Sequence, residues 1–89
     1  MTKYQEGQLP LVKMRTGQTG TVIGVLGGHG LIRRLDALGI RPGKKVTKLS
    51  STLFRGPVIL RVDNAQVAVG FGMARKIIIE VDKYLPGAS

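Results

Sequence analysis

The sequence predicts a mainly β domain, a small barrel of about five strands with a short inserted α-helix. Two observations predict this fold class: five short β-branched segments are punctuated by turn residues, and only one segment has the periodicity of an amphipathic helix. A chain of 89 residues has room for one small core. We expect the strands to close into a barrel, because closure removes the exposed sheet edges that favour aggregation.

The five expected strands cover residues 20–26, 44–49, 57–63, 66–70 and 76–82. The last of them alternates, with Ile77, Ile79 and Val81 on one face, so this face is expected to lie on the core. Between the third and fourth strands, the segment 63–65 predicts a tight hairpin turn in which Asn64 supplies the positive φ.

The one expected helix covers residues 31–38. Four apolar residues gather on one side of it: Leu31, Ile32, Leu35 and Leu38. We expect Gly39 to end the helix in the left-handed conformation, so that Ile40 contacts Leu35 as in a Schellman motif. The dipeptide 42–43, Pro-Gly, then predicts a type II turn.

The composition limits the function classes. Lys and Arg number 14 against 5 Asp and Glu, and the net charge of +9 suits an acidic protein surface, nucleic acid or anionic lipid. The absence of cysteine excludes disulfides, thiolate metal sites and cysteine nucleophiles. The N-terminus lacks the apolar region of a signal peptide, and no run approaches the ~20 apolar residues of a membrane span. We therefore expect a cytoplasmic protein without direct membrane insertion.

Two glycine-rich stretches fall short of phosphate-binding motifs. Residues 28–33 begin like G-x-G-x-x-G but end in arginine, and residues 39–45 lack the Ser or Thr that binds magnesium and precede a strand.

His29 is the only histidine, so a metal site would need scattered carboxylates, and we expect this histidine in a loop. No sequence context indicates an acid–base pair or an activated nucleophile. We expect no enzyme, and neither a cofactor nor a metal site.

The charge order on the expected helix is unusual. Arg33 and Arg34 are expected near its positive N-terminal end and Asp36 near its negative end, and each such placement costs about 0.3–1 kcal/mol. One explanation is that arginine is a good helix former and that salt screens the unfavourable field. The other is a basic contact face for an acidic partner. Three further residues would extend that face: Arg41, Lys44 and Lys45.

Successive blocks of the chain also carry a family resemblance. The blocks are TGQTGTVIGVLGG, RRLDALGIRPGKKV, GPVILRV and VAVGFGMARKIIIEV, and the second is the most specific. They resemble FeoA, a family of small cytosolic proteins in bacterial and archaeal ferrous iron uptake. The resemblance implies an SH3-like barrel at residues 9–83 between tails at 1–8 and 84–89. It also implies that the chain assists FeoB, a membrane transporter with a cytosolic G-protein domain.

The partner implied by the resemblance is therefore an FeoB-type transporter, and nine residues are candidates for binding it. They are Arg33, Arg34, Arg41, Lys44, Lys45, Phe54, Arg55, Phe71 and Met73. Phe54 places an apolar ring beside the charge of Arg55 in an expected loop. Its ring would serve equally well as a contact for a partner or as a cap on the core. Phe71 and Met73 offer an apolar contact where many members of the family carry charge.

Two other functions stay open at this stage. The SH3-like domain also closes some metal-dependent repressors, which suggests a regulatory domain. A basic nucleic-acid-binding barrel would fit the charge, but single-strand binders stack bases on several aromatic rings, and this chain has only 2 Tyr and 2 Phe. We expect any nucleic-acid binding to be weak and nonspecific.

Overall fold

The computed structural model describes residues 7–51 and 55–82. Six strands form within these residues: β1 (Gln8–Pro10), β2 (Thr19–Val25), β3 (Lys45–Ser51), β4 (Val58–Val62), β5 (Ala65–Val69) and β6 (Ile77–Val81). The helices are α1 (His29–Ala37) and α2 (Phe71–Ala74), and a 3₁₀ turn covers Leu11–Lys13. The mainly β fold with a short inserted helix is confirmed, and all five expected strands form within two residues of their expected bounds.

The strands form one antiparallel sheet of order β1-β6-β2-β3-β4-β5. The sheet has one strand more than expected, because β1 pairs with β6. Within the described residues the sheet stays open between β1 and β5, so the expected closure by strand pairing was wrong. β1 has only three residues and ends in Pro10, which has no N–H to donate to another strand. The helix α2, which follows β5, contacts the 3₁₀ turn that follows β1.

The core lies on one face of this sheet and under α1. Its buried residues are Leu11, Met14, Val22, Leu35, Ile40, Val46, Val58, Leu60, Val62, Val69, Ala74, Ile77 and Ile79. The alternation expected in β6 is confirmed, because Ile77 and Ile79 are completely buried while Glu80 is exposed. Ile78, on the opposite face from Ile77, is also buried. Leu35 is the fully buried residue of α1 and fixes that helix on the core.

The end of α1 follows the motif expected from the sequence. Gly39 has a φ of +86°, its N–H donates to the Asp36 carbonyl at 2.9 Å, and the N–H of Ile40 donates to the Leu35 carbonyl at 2.9 Å. These are the two hydrogen bonds of a Schellman motif. Ile40 and Leu35 are both buried in the core, so the chain leaves the helix in a fixed direction.

Two further turns were expected from the sequence, and one needs a correction. Gly43 has a φ of +93° and the N–H of Lys44 donates to the Arg41 carbonyl at 3.0 Å, as a type II turn requires. In the hairpin between β4 and β5 the positive φ, 56°, belongs to Asp63 and not to Asn64. The loop has only two residues between paired strand ends, and aspartate at its first position tolerates the left-handed conformation.

Lys48 is a charged side chain buried in the core face of β3, with 3% of its surface exposed. Its Nζ donates to the carbonyls of Met14 at 2.6 Å and Val12 at 3.3 Å. Burial lowers the pKa of this ammonium, because the charged form loses its hydration. The two hydrogen bonds hold the end of the 3₁₀ turn against the sheet.

Candidate partner-binding surface

The exposed large apolar side chains of the described residues all lie between residues 23 and 38. They are Ile23, Leu26, Ile32 and Leu38, with 38%, 57%, 41% and 37% of their surfaces exposed. This stretch runs from the end of β2, through the following loop and α1, to the C-cap of that helix. We call these four residues, together with Arg33 and Arg34, the α1 surface.

Local backbone geometry explains why β2 and its loop contribute to the α1 surface. The register of β2 against β6 shifts between Val22 and Gly24, which leaves Ile23 as the extra residue of a bulge. The N–H of Leu26 donates to the Lys76 carbonyl at 2.7 Å, so the loop backbone is fixed while the leucine side chain stays exposed. A Cβ on Gly27 would lie 2.6 Å from Leu31 Cδ2, so the loop packs closely against the first turns of α1.

The two arginines of the α1 surface are exposed and form no ion pair within the described residues. The helix begins at His29, two residues before the expected start. Arg33 is therefore central and Arg34 lies in the last turn. A cation in the last turn is favourable for the helix dipole, so the expected conflict with the dipole was wrong for Arg34.

The other three basic candidates each have a carboxylate partner. Arg41 pairs with Asp36, Lys44 with Asp63 and Lys45 with Asp82, each at 2.9 Å. The charge of Asp36 at the end of α1 is thus balanced by Arg41. The structure divides the expected basic face into a free pair, Arg33 and Arg34, and three cations already neutralised within the chain. Such exposed pairs stabilise the fold by at most about 1 kcal/mol each.

The remaining candidates lie around α2. The guanidinium carbon of Arg55 lies 5.8 Å from the centre of the Phe71 ring, within the range of a cation–π contact. Arg55 has a φ of +65° and an exposed side chain, while Phe71 is half-buried. Met73 is partly buried and packs against the core. Phe54 lies outside the described residues. The structure therefore brings Arg55, in the turn before β4, to Phe71 on α2, and neither residue lies on α1.

The sequence interpretation missed the apolar part of the α1 surface. Ile32 and Leu38 were grouped with Leu31 and Leu35 on one apolar side of the helix, yet 41% and 37% of their surfaces are exposed. Ile23 and Leu26 were assigned to the first expected strand, residues 20–26. The one local sign was the placement of Leu26 immediately before two glycines, where a strand ends. The bulge that exposes Ile23 depends on pairing with β6 and has no local sign.

His29 is the first residue of α1 and is exposed, so the expected loop position was wrong. Within residues 7–51 and 55–82, no three side chains among His, Asp and Glu lie close enough to hold a metal ion together. None of the helices in that part of the chain has the length and hydropathy to cross a membrane.

Comparison with known proteins assigns the family. A model described as the FeoA domain matches residues 9–81. A protein of Methanocaldococcus jannaschii provisionally named Fe(2+) transport protein A is 32% identical over 75 residues, 84% of this chain and 89% of its own.

Solved structures agree with this assignment. The crystal structure of an iron uptake regulatory protein, FeoA, is 32% identical and has a TM-score of 0.76 over 83% of this chain and 96% of its own. A manganese-dependent transcriptional repressor is 24% identical and has a TM-score of 0.78 over 88% of this chain and 44% of its own, a likeness that shows the fold alone. The SH3-like fold that the resemblance implied is confirmed, and the chain belongs to the FeoA family.

Proposed function

We propose that this protein is a small cytoplasmic accessory protein of ferrous iron uptake that acts by binding an FeoB-type transporter, without catalysis of its own. The observation that carries the proposal is membership of the FeoA family, which is a family of Fe(2+) transport and not an enzyme family. The family match covers residues 9–81, so it includes nearly all of the described sheet and both helices.

The surface chemistry supports a protein partner. Exposed apolar side chains that occur singly are ordinary, but a concentration of them supports a protein-binding surface. Here the four exposed Leu and Ile residues lie on one stretch of chain beside two exposed arginines. Arginine and large apolar residues are the types that protein interfaces favour at their centres.

A second candidate function is a regulatory domain like those of metal-dependent repressors. The observation in its favour is the likeness to the manganese-dependent repressor, which extends over 88% of this chain. The two functions differ in their partner: a repressor domain acts on a DNA-binding domain, whereas an accessory protein acts on the transporter. Purification from cells under anaerobic conditions separates the two by the protein that is recovered.

The proposal is tested by ferrous iron uptake into cells that lack the gene for this chain. We expect anaerobic uptake of radioactive Fe²⁺ to change when the gene is removed and to return when it is restored on a plasmid. The abundance of the transporter must be measured by immunoblot in each strain, since a change in its level would mimic an effect on its activity. Uptake that is identical with and without the gene, at equal transporter levels, would overturn the proposal.

A further inference from the structure

We infer that the α1 surface docks on an acidic protein surface with an apolar centre. In this complex Arg33 and Arg34 steer the encounter, and the apolar side chains hold the two proteins together. The inference rests on the proposed function, because it names the chemistry of the transporter surface that this chain would bind. It goes further than that function by selecting one surface among the candidates and by giving its two kinds of residue different roles.

The exposed side of α1 carries both apolar and charged side chains. Successive residues of a helix point about 100° apart, so Ile32, Arg33 and Arg34 together cover the greater part of the circumference that faces away from the buried Leu35. Arg33 points away from the core, with Ile32 on one flank and Arg34 on the other, so a partner centred on Arg33 meets an apolar side chain on one side and a second guanidinium group on the other. Leu38, the C-cap, follows Ile32 by about 9 Å along the axis and about 120° around it.

Charge complementarity favours an acidic partner for the α1 surface. The described residues contain four carboxylates, and three of them are already paired: Asp36, Asp63 and Asp82. Glu80 is the remaining one; it lies on β6 and forms no ion pair within the described residues. The described part of the chain thus offers Arg33 and Arg34 no counterion, which leaves both guanidinium groups available to the carboxylates of a partner.

The same charge argument disfavours a second copy of this chain as the occupant. Each copy carries a net charge of +9, so two copies repel one another as they approach. Burying Arg33 and Arg34 against another basic surface would leave two desolvated charges without partners, which costs more than the apolar contact returns. An acidic partner removes both objections.

The division of roles follows from the physics of each contact. Exposed charges act over the Debye length and accelerate the encounter, whereas buried apolar side chains mainly slow dissociation. Leu26 is the most exposed of the four apolar residues, and Ile32 is the one on the central part of α1. Truncating these two side chains removes contact area without opening the core.

The experiment measures binding of the full chain to the FeoB-type transporter of the same organism, held in lipid nanodiscs, by surface plasmon resonance. For Arg33→Glu with Arg34→Glu we expect the association rate to fall about tenfold at low salt, and this effect to shrink as salt is raised. For Leu26→Ala with Ile32→Ala we expect the dissociation rate to rise about tenfold, with the association rate nearly unchanged.

A matched control carries the same change in net charge at a different place. Arg15 and Arg61 are exposed, form no ion pair within the described residues, and lie on the loop before β2 and on β4. The variant Arg15→Glu with Arg61→Glu should bind with rates within about twofold of the unchanged chain, because distant exposed charges are screened. Circular dichroism of every variant confirms that the fold is retained.

The outcomes separate this inference from the proposed function. If the unchanged chain binds the transporter and both α1-surface variants bind with its rates, the inference is overturned and the proposed function stands. A control variant that lowers the association rate as much as the α1-surface variant does would overturn the steering role of these two arginines. No binding by the unchanged chain would overturn the proposed function and this inference together.

Discussion

The close approach of β2 and β6 gives a sharp prediction about Gly20. This glycine lies opposite Val81 in the antiparallel register and is buried. A Cβ at this position would overlap Ile79 Cγ2 and would lie 2.8 Å from the Glu80 carbonyl oxygen and 3.1 Å from Val81 Cα. Two of these three atoms belong to backbone that is held on both sides by neighbouring strands, so the overlap cannot be relieved by a side-chain rotation.

The size of the effect follows from these contacts. Overpacking of this kind costs about 1–3 kcal/mol, so we expect Gly20→Ala to lower the free energy of unfolding by about that amount. Gly24 is the matched control, because it lies on the same strand and a Cβ there meets nothing within 4 Å. Gly24→Ala should raise the free energy of unfolding by about 0.4–1 kcal/mol, since alanine restricts the unfolded chain.

The assay is urea unfolding followed by far-ultraviolet circular dichroism, with the denaturant slopes compared to confirm that the two variants unfold in the same way. The difference between the variants should be about 1.5–4 kcal/mol, in favour of Gly24→Ala. Equal midpoints, or a more stable Gly20→Ala, would refute the register of β2 against β6. The same register places the bulge that exposes Ile23, one residue of the proposed docking surface.

Three other predictions concern protonation, metal and nucleic acid. Burial lowers the pKa of Lys48 in the folded chain below its ordinary 10.5. Between the folded pKa and 10.5, Lys48 is therefore still protonated in the unfolded chain but has lost its proton in the folded chain. Raising the pH through this interval should increase the free energy of unfolding. Urea unfolding of the protein and of Lys48→Met, at neutral pH and near pH 10.5, gives the difference between their free energies of unfolding. This difference should shift in favour of the unchanged chain at the higher pH, and a constant difference would contradict the lowered pKa of Lys48. Anaerobic calorimetry with Fe²⁺ should detect no tight stoichiometric site, and a micromolar site that disappears in His29→Ala would prove this wrong. Binding to duplex DNA should be weak and should largely vanish between about 50 and 200 mM salt, whereas sequence-selective nanomolar binding at the higher salt would favour a nucleic-acid function.

The parts of the fold that sequence reasoning predicted are those fixed by nearby residues. The end of α1 was predictable because a glycine at C′ and an apolar pair at 35 and 40 are all that a Schellman motif needs. β1 was missed because three half-buried residues form a strand only by pairing with β6, about 70 positions away. α2 was missed because four residues with a glycine among them have no helical periodicity to detect.

The candidate site, like the fold, was predictable from the sequence only where nearby residues determine it. Arg33 and Arg34 were found from the sequence, because their position on one helix is a local property. The ion pairs of Lys44 with Asp63 and of Lys45 with Asp82 join residues 19 and 37 positions apart, so the neutralisation of these cations required the fold. The exposure of Leu26 and Ile32 likewise depends on the tertiary structure, because the described part of the chain leaves these side chains uncovered.

We propose that this protein serves ferrous iron uptake by presenting the α1 surface to its transporter. Methyl NMR of the isotopically labelled chain, with and without the FeoB-type transporter in nanodiscs, tests it most directly. Binding should shift or broaden the methyl resonances of Leu26, Ile32 and Leu38, while those of Leu49 on β3 and Ile59 on β4 stay in place. Changes confined to Met73 on α2, or no change in any methyl resonance at saturating transporter, would contradict the claim.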